Sequence, residues 1–233
     1  TLAFGVLWAP VLGCGRDLGL LTGGAVGICG ASAAMAISAA LPESETKQRY
    51  TLFTVIGVTT FSTAAMVFYP IVGDLLQFTS TEMGFFIGAT IHDVAQVVGA
   101  GYSVSPETGD LATFVKLLRV AMLVPIVMAI ALVCRISSRA QEASQPSPIS
   151  FPIFLLGFIA LFVLNNTVPL PETLTEGLSH LATALLLLAV TALGVRTSLR
   201  EVASIGWRPI ILLGGETLFL AATIAGLLLL GVV

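Results

Sequence analysis

Charge is what this sequence has least of. Only 10% of its 233 residues are Asp, Glu, Lys or Arg, against about 25% in soluble domains. With 56% hydrophobic residues and a mean hydropathy of +1.01, the chain reads as a polytopic membrane protein with no room for a soluble domain. Cysteine is scarce too: Cys14, Cys29 and Cys134 are far apart, odd in number and form no C-x-x-C. They argue for neither a disulfide frame nor a metal site. The net charge of −3 and the lack of a basic patch with interleaved aromatics give no sign of a nucleic-acid partner. G-x-S-x-G, H-E-x-x-H, P-loop and dinucleotide-binding motifs are missing, so neither an enzyme nor a bound cofactor is expected. The chain has no signal-peptide pattern and opens at Thr1 inside an apolar run. An N-terminal part of a longer protein is therefore expected to precede it.

What is there is a series of apolar segments, each to be compared with the ~20 residues that a helix needs to span a bilayer. Residues 2–13 read as the tail of a helix, and residues 15–17 as a polar turn. Residues 20–41, 51–73, 83–102, 111–134, 151–164, 178–195 and 209–233 read as spans. The solvated loops between them include residues 42–50, 74–82, 103–110 and the linker 135–150. That is eight segments, the first incomplete, in one transmembrane domain over 1–233. If all cross, Arg16, Arg135, Arg139, Arg196, Arg200 and Arg208 fall on one side, which the positive-inside rule makes cytoplasmic. The segments beginning at Thr1-Leu2 and Thr217-Leu218 echo each other and point in opposite directions in this topology, as inverted repeats do.

Three stretches carry polar chemistry in apolar surroundings. Gly23, Gly24, Gly27 and Gly30 make the segment 20–41 a poor continuous helix. A break there would present free N–H groups and a positive dipole end to an anion, with Gly30, Ala31 and Ser32 at the turn and Thr22 and Ser32 as hydroxyl donors. Close packing of small residues explains the same glycines. His92, Asp93 and Gln96 form the second stretch. Read as one helix, they make a polar stripe that must face protein, either as substrate or coupling-ion ligands or as a lock between helices, with Asp93 neutralised by Lys116 or Arg119. The flanking Gly88, Gly99 and Gly101 point to a bent or interrupted helix. Lys116 and Arg119 are the third, three apart on one face. They suit a divalent anion, or else snorkel to the interface. Asn165-Asn166, His180 and Glu216 are lesser candidates, Glu216 as a proton site or a single packing hydrogen bond.

The strings Ile28-Cys29-Gly30-Ala31-Ser32-Ala33, Ile91-His92-Asp93-Val94-Ala95-Gln96-Val97-Val98 and Val115-Lys116-Leu117-Leu118-Arg119-Val120, in that order, resemble the YeiH-like family of bacterial inner-membrane proteins, to which sulfate export is assigned. Residues 193–197 and Trp207-Arg208-Pro209 are similar to that family's C-terminal region. The resemblance implies an all-α bundle like the sodium/proton antiporters and bile-acid transporters, built from inverted repeats with discontinuous helices. It implies a multi-pass secondary transporter exporting sulfate or a related oxyanion or sulfonate. Gly30, Ala31 and Ser32 would be donors, Lys116 and Arg119 would offset anion charge, and His92, Asp93 and Gln96 would form the ligand or coupling site. The expected partners are a small anion, the bilayer, a coupling proton or sodium ion, and further copies of the chain. Two rivals stand beside it: a cation/proton antiporter using Asp93, and a non-transporting membrane scaffold or sensor subunit.

Overall fold

The structure is a computed structural model and describes residues 1–42, 46–138 and 206–232, with scattered positions between 160 and 188. By its contacts the chain divides into two compact units, Thr1–Ser144 with Ser198–Val233, and Gln145–Thr197. In the second unit Leu174 and Thr175 donate their N–H groups to the Pro171 carbonyl, one helical turn. Asn165, Asn166, His180, Arg139, Arg196 and Arg200 lie outside the described residues.

The first unit is built of helices, with no strand among the described residues. In chain order they are α1 (Leu2–Trp8), α2 (Arg16–Gly27), α3 (Ala31–Ala40), α4 (Lys47–Leu75), α5 (Ser80–Thr90), α6 (Val94–Val104), α7 (Pro106–Ala121), α8 (Leu123–Ser138) and α9 (Trp207–Leu229). Three helical stretches are long and apolar enough to cross a membrane: Lys47–Leu75, Pro106–Val133 (α7 running into α8) and Trp207–Leu229. Their outer faces carry Val67, Phe68 and Ile71 on α4, Met128 and Leu132 on α8, and Leu218 and Leu229 on α9, all exposed. Such faces belong against lipid. The chain is an all-α polytopic membrane protein.

Several boundaries differ from the sequence reading. Arg16 and Asp17 begin α2 and are not a turn. There Asp17 faces the positive end of the helix, where an acidic residue is favoured. Lys47, Gln48, Arg49 and Tyr50 begin α4 rather than ending a loop. The loop expected over 103–110 shrinks to Ser105, which caps α7 by accepting from Thr108 N–H ahead of Pro106 at the first helical position. Pro at that position loses no helical hydrogen bond, so it starts a helix where it read as a loop marker. The segments 20–41 and 83–102 are each two half-helices.

Thr residues make α4 fit for hydrocarbon. Thr51, Thr54, Thr59, Thr60 and Thr63 each donate to the carbonyl four residues earlier, which hides their hydroxyl hydrogens. The core lies where α4, α5 and α6 meet (Ala65, Ile87, Ile91, Val97) and where α2, α4 and α9 meet (Val26, Val58, Leu213).

α5 starts with a capping box. Glu82 N–H donates to Thr79 Oγ1, and Thr79 N–H donates to Glu82 Oε2 at 2.8 Å. The backbone and hydroxyl donors of Thr79 hold the exposed Glu82 carboxyl below its ordinary range. A depressed carboxylate stabilises the folded state above the unfolded pKa, and that stability is lost as pH falls through the folded one. Thr79→Ala is expected to lower unfolding stability by about 1 kcal/mol and to flatten the acid limb of the pH–stability curve, both read by denaturant titration in detergent.

Candidate functional site

The site is a crossing of two broken helices. α2 ends at Gly27, and the chain turns through Ile28, Cys29 and Gly30 before α3 begins at Ala31. Gly30 N–H donates to the Ala25 carbonyl at 2.8 Å, and Gly30 has φ +68° and ψ −123°, a conformation that only glycine adopts readily. The second break is Ile91, His92 and Asp93, between α5 and α6. The two adjoin: a Cβ placed on Gly30 would lie 3.6 Å from the His92 carbonyl oxygen.

This corrects the reading of His92, Asp93 and Gln96 as one helical stripe. His92 and Asp93 are in the extended linker, and only Gln96 is helical. Nor do the neighbouring glycines make the break. Gly88 lets α5 meet α7, where a Cβ would fall on the Ala112 carbonyl, and Gly101 lets α6 meet α7 beside the Gly109 backbone. In the first segment both readings hold, because Gly30 is the break while a Cβ at Gly23 would meet the α1 backbone at 3.1 Å.

A broken helix leaves carbonyls without partners at one stump and N–H groups at the other. α7 supplies the donors for the carbonyls. Lys116 Nζ donates to Ile28 O at 2.8 Å and Ile91 O at 2.9 Å. Arg119 donates to Val26 O at 2.7 Å, Gly27 O and Gly88 O at 3.2 Å, and Ile91 O at 3.3 Å. The i, i+3 spacing puts both cations on the α7 face that meets the breaks. Neither snorkels: Lys116 is fully buried and Arg119 is half-buried. Their hydrogen bonds go to carbonyls, so Lys116 offsets the Asp93 charge through space and not by a hydrogen bond.

The N–H groups are met differently. Asp93 caps α6 by accepting from Ala95 N–H at 2.8 Å. Ser62 of α4 receives His92 N–H at 3.2 Å and Asp93 N–H at 3.1 Å, fixing the linker. At the start of α3, Ser32 is exposed beside the Cys29 thiol, its Oγ 2.9 Å from Sγ. Gln96 Nε2 donates to Thr63 Oγ1 at 2.9 Å. His92 Nε2 lies 3.1 Å from Thr217 Oγ1 on α9, and next to Thr217 the fully buried Glu216 bonds Thr22 of α2 at 2.9 Å. His92 Nδ1, Gln96 Oε1 and Glu216 Oε2 are buried with no hydrogen-bond partner among the described residues.

Ser62, Thr63 and Thr217 were not singled out by sequence reasoning, and Glu216, read as a proton site or a single packing hydrogen bond, makes a hydrogen bond to Thr22. A Thr in an apolar helix bonds its own backbone by default, so sequence carries no mark of the few that also reach a neighbour. Ionisable character in a span was the one available signal, and it applies to Glu216.

The crossing thus gathers two negative stumps under Lys116 and Arg119 and aims two positive ones, at Ala31 and Val94, past His92, Asp93 and Ser32.

Residues 1–213 match the family described as conserved hypothetical protein 698. The chain is 46% identical over 232 residues to the UPF0324 membrane protein TauZ of Paracoccus pantotrophus, covering 99% of this chain and 69% of that protein. It is 46% identical over 233 residues to a UPF0324 membrane protein of Rhizobium meliloti, covering 99% and 67%. With a UPF0324 membrane protein of Chlorobaculum tepidum the identity is 43% over 226 residues, covering 97% of this chain but only 63% of that relative's length. No solved structure matches the chain. The chain therefore belongs to the conserved hypothetical protein 698 family, the UPF0324 membrane proteins, as a multi-pass protein of the inner membrane.

Proposed function

We propose that this protein is a secondary transporter that exports sulfate or a related small oxyanion or sulfonate. The observation that carries the reading is the adjoining pair of helix breaks at Gly30 and His92. Irregular backbone inside a bilayer is tolerated where protein buries it or where it lines a water-filled path. Half-helix ends at such a point bind ions in transporters. Lys116, Arg119 and Asp93 sum to one positive charge at the crossing, which favours an anion. Ser32 Oγ and the N–H groups of Ala31 and Ser32 are the donors in this reading, the Gly30 N–H being taken by the Ala25 carbonyl; His92 and Gln96 are its buried ligands, and the two α7 cations supply field rather than direct contact. Association of several copies in the membrane belongs to the same proposal.

Inverted vesicles from cells expressing the protein are expected to accumulate labelled sulfate, sulfite or a sulfonate. Accumulation should fall about tenfold in His92→Ala, the equivalent of one buried hydrogen bond, and also fall in Ser32→Ala. Equal uptake in both variants, at matched amounts in the membrane, rejects the residue assignment. Asp93 favours a second reading, because its half-buried carboxylate has one N–H partner, Ala95, and sits at the break itself. Proton release on adding sodium, with no anion present, would support a cation/proton antiporter. No flux of any of these solutes would support a scaffold.

A further inference from the structure

Glu216 and Thr217 are neighbours on α9, and each bonds a different broken helix. Glu216 reaches Thr22 of α2, 194 residues away in sequence, and Thr217 reaches His92 in the α5–α6 break, 125 residues away. Lys116 and Arg119 reach both breaks as well, but through backbone carbonyls. The Glu216 carboxyl is fully buried. It lies against Gly5 of α1, where a Cβ would overlap Oε1, so the helices close on it by leaving out a side chain.

The hydrogen bonds around this carboxyl bear on its protonation. Thr22 Oγ1 lies 2.9 Å from Leu18 O and 2.9 Å from Glu216 Oε1. A hydroxyl has one hydrogen, and a carbonyl can only accept. When Thr22 serves Leu18 O, the hydrogen between Thr22 and Glu216 has to come from a protonated Glu216. When Glu216 is ionised, Thr22 turns its hydrogen to it while Leu18 O keeps the Thr22 N–H of the helix, so the unpartnered Oε2 decides between the two states. Oε2 has no partner among the described residues. That is tolerable for the carbonyl oxygen of a neutral acid and severe for half of a carboxylate.

The charged groups that could offset ionisation are few. From α1, Gly5 brings only its backbone to the carboxyl. From α2, Thr22 offers only its hydroxyl. From α4, Gly57 and Phe61 pack at this level of α9. From the α5–α6 break, His92 is held one residue along, by Thr217, and the Val26 backbone also faces its ring.

We infer that Glu216 is a proton-binding site that ties the state of the crossing to the proton gradient. In the closed arrangement seen here the acid is neutral. Losing its proton requires water to reach Oε2, which means that α9 moves away from α2. Because Thr217 is on the same turn, that movement also releases His92. The inference rests on the transport reading for its purpose, but the proton site itself does not.

Two measurements separate these. Infrared difference spectra of the purified, reconstituted protein, taken across a pH titration, are expected to show a carboxylic-acid C=O band that titrates, disappears in Glu216→Gln and shifts in frequency in Thr22→Val. A band set unchanged by Glu216→Gln overturns the inference. In vesicles, Glu216→Gln is expected to keep exchange of labelled oxyanion for unlabelled while losing at least tenfold of its accumulation driven by a pH gradient. Full gradient-driven accumulation in this variant also overturns it. If the band behaves as expected but the unmodified protein moves no oxyanion, the proton site stands and the transport reading falls.

Discussion

Replacing Lys116 by Met is expected to destabilise the protein by about 3 kcal/mol in reversible unfolding from detergent micelles. Met keeps most of the stem volume and removes the ammonium. Ile28 O then loses its donor, and Ile91 O keeps only the longer bond from Arg119. A hydrogen bond to a charged group contributes about 1.5–3 kcal/mol, and a buried acceptor left unpaired costs about 1–3 kcal/mol. Against this stands relief from desolvating a buried ammonium, itself several kcal/mol. The loss wins because the carbonyls sit at helix stumps whose dipoles point their negative ends at the same place. Arg119 shares the Ile91 carbonyl with Lys116 at 3.3 Å. A double-mutant cycle of Lys116→Met with Arg119→Leu should therefore be non-additive by about 1 kcal/mol. Additive effects below that size would mean that water reaches the stumps, and the crossing would then be wet and open rather than closed by α7.

Gly88→Val is expected to be at least as damaging, by about 3 kcal/mol or more. A Cβ at Gly88 would fall on the Ala112 carbonyl oxygen and come within 2.9 Å of Val115 Cβ and 3.0 Å of Ala112 Cα. These are backbone and branch-point atoms, which cannot rotate aside. α5 would have to lift from α7, and the Gly88 carbonyl would leave Arg119. The matched control is Gly226→Ala on α9, where nothing lies within 4 Å of the added methyl. That substitution should be neutral or stabilising by up to about 1 kcal/mol, since Ala favours a helix. Equal melting temperatures for the two variants would show that the α5–α7 contact has slack.

Much of this protein was legible in order of residues alone. Low charge and long apolar runs require a bilayer, because the chain has too little polar surface for water and too many spans for a soluble core. The three strings around Gly30, His92 and Lys116 pick out the segments that meet, because ionisable and helix-breaking residues are expensive in hydrocarbon wherever they occur. The break at Gly30 is local too: four glycines weaken a helix whatever surrounds it.

The rest depended on three dimensions. Every residue has a carbonyl, so nothing in sequence marks Val26, Gly27, Ile28, Gly88 and Ile91 as the ones that Lys116 and Arg119 would serve. The spacing of the cations implied only a common face, and what faced them was set by packing. His92 and Asp93 fit a helical period, yet the linker is extended because Ser62 on α4 takes both of its free N–H groups. Glu216 read as one acid in the last apolar run. Only closure of α9 on α2 and the α5–α6 break, over 194 and 125 residues of chain, put its carboxyl and its neighbour's hydroxyl at the two helices that break. Sequence periodicity determines which faces are apolar, while the pairing of polar atoms across distant segments is decided by where the folded helices come to rest.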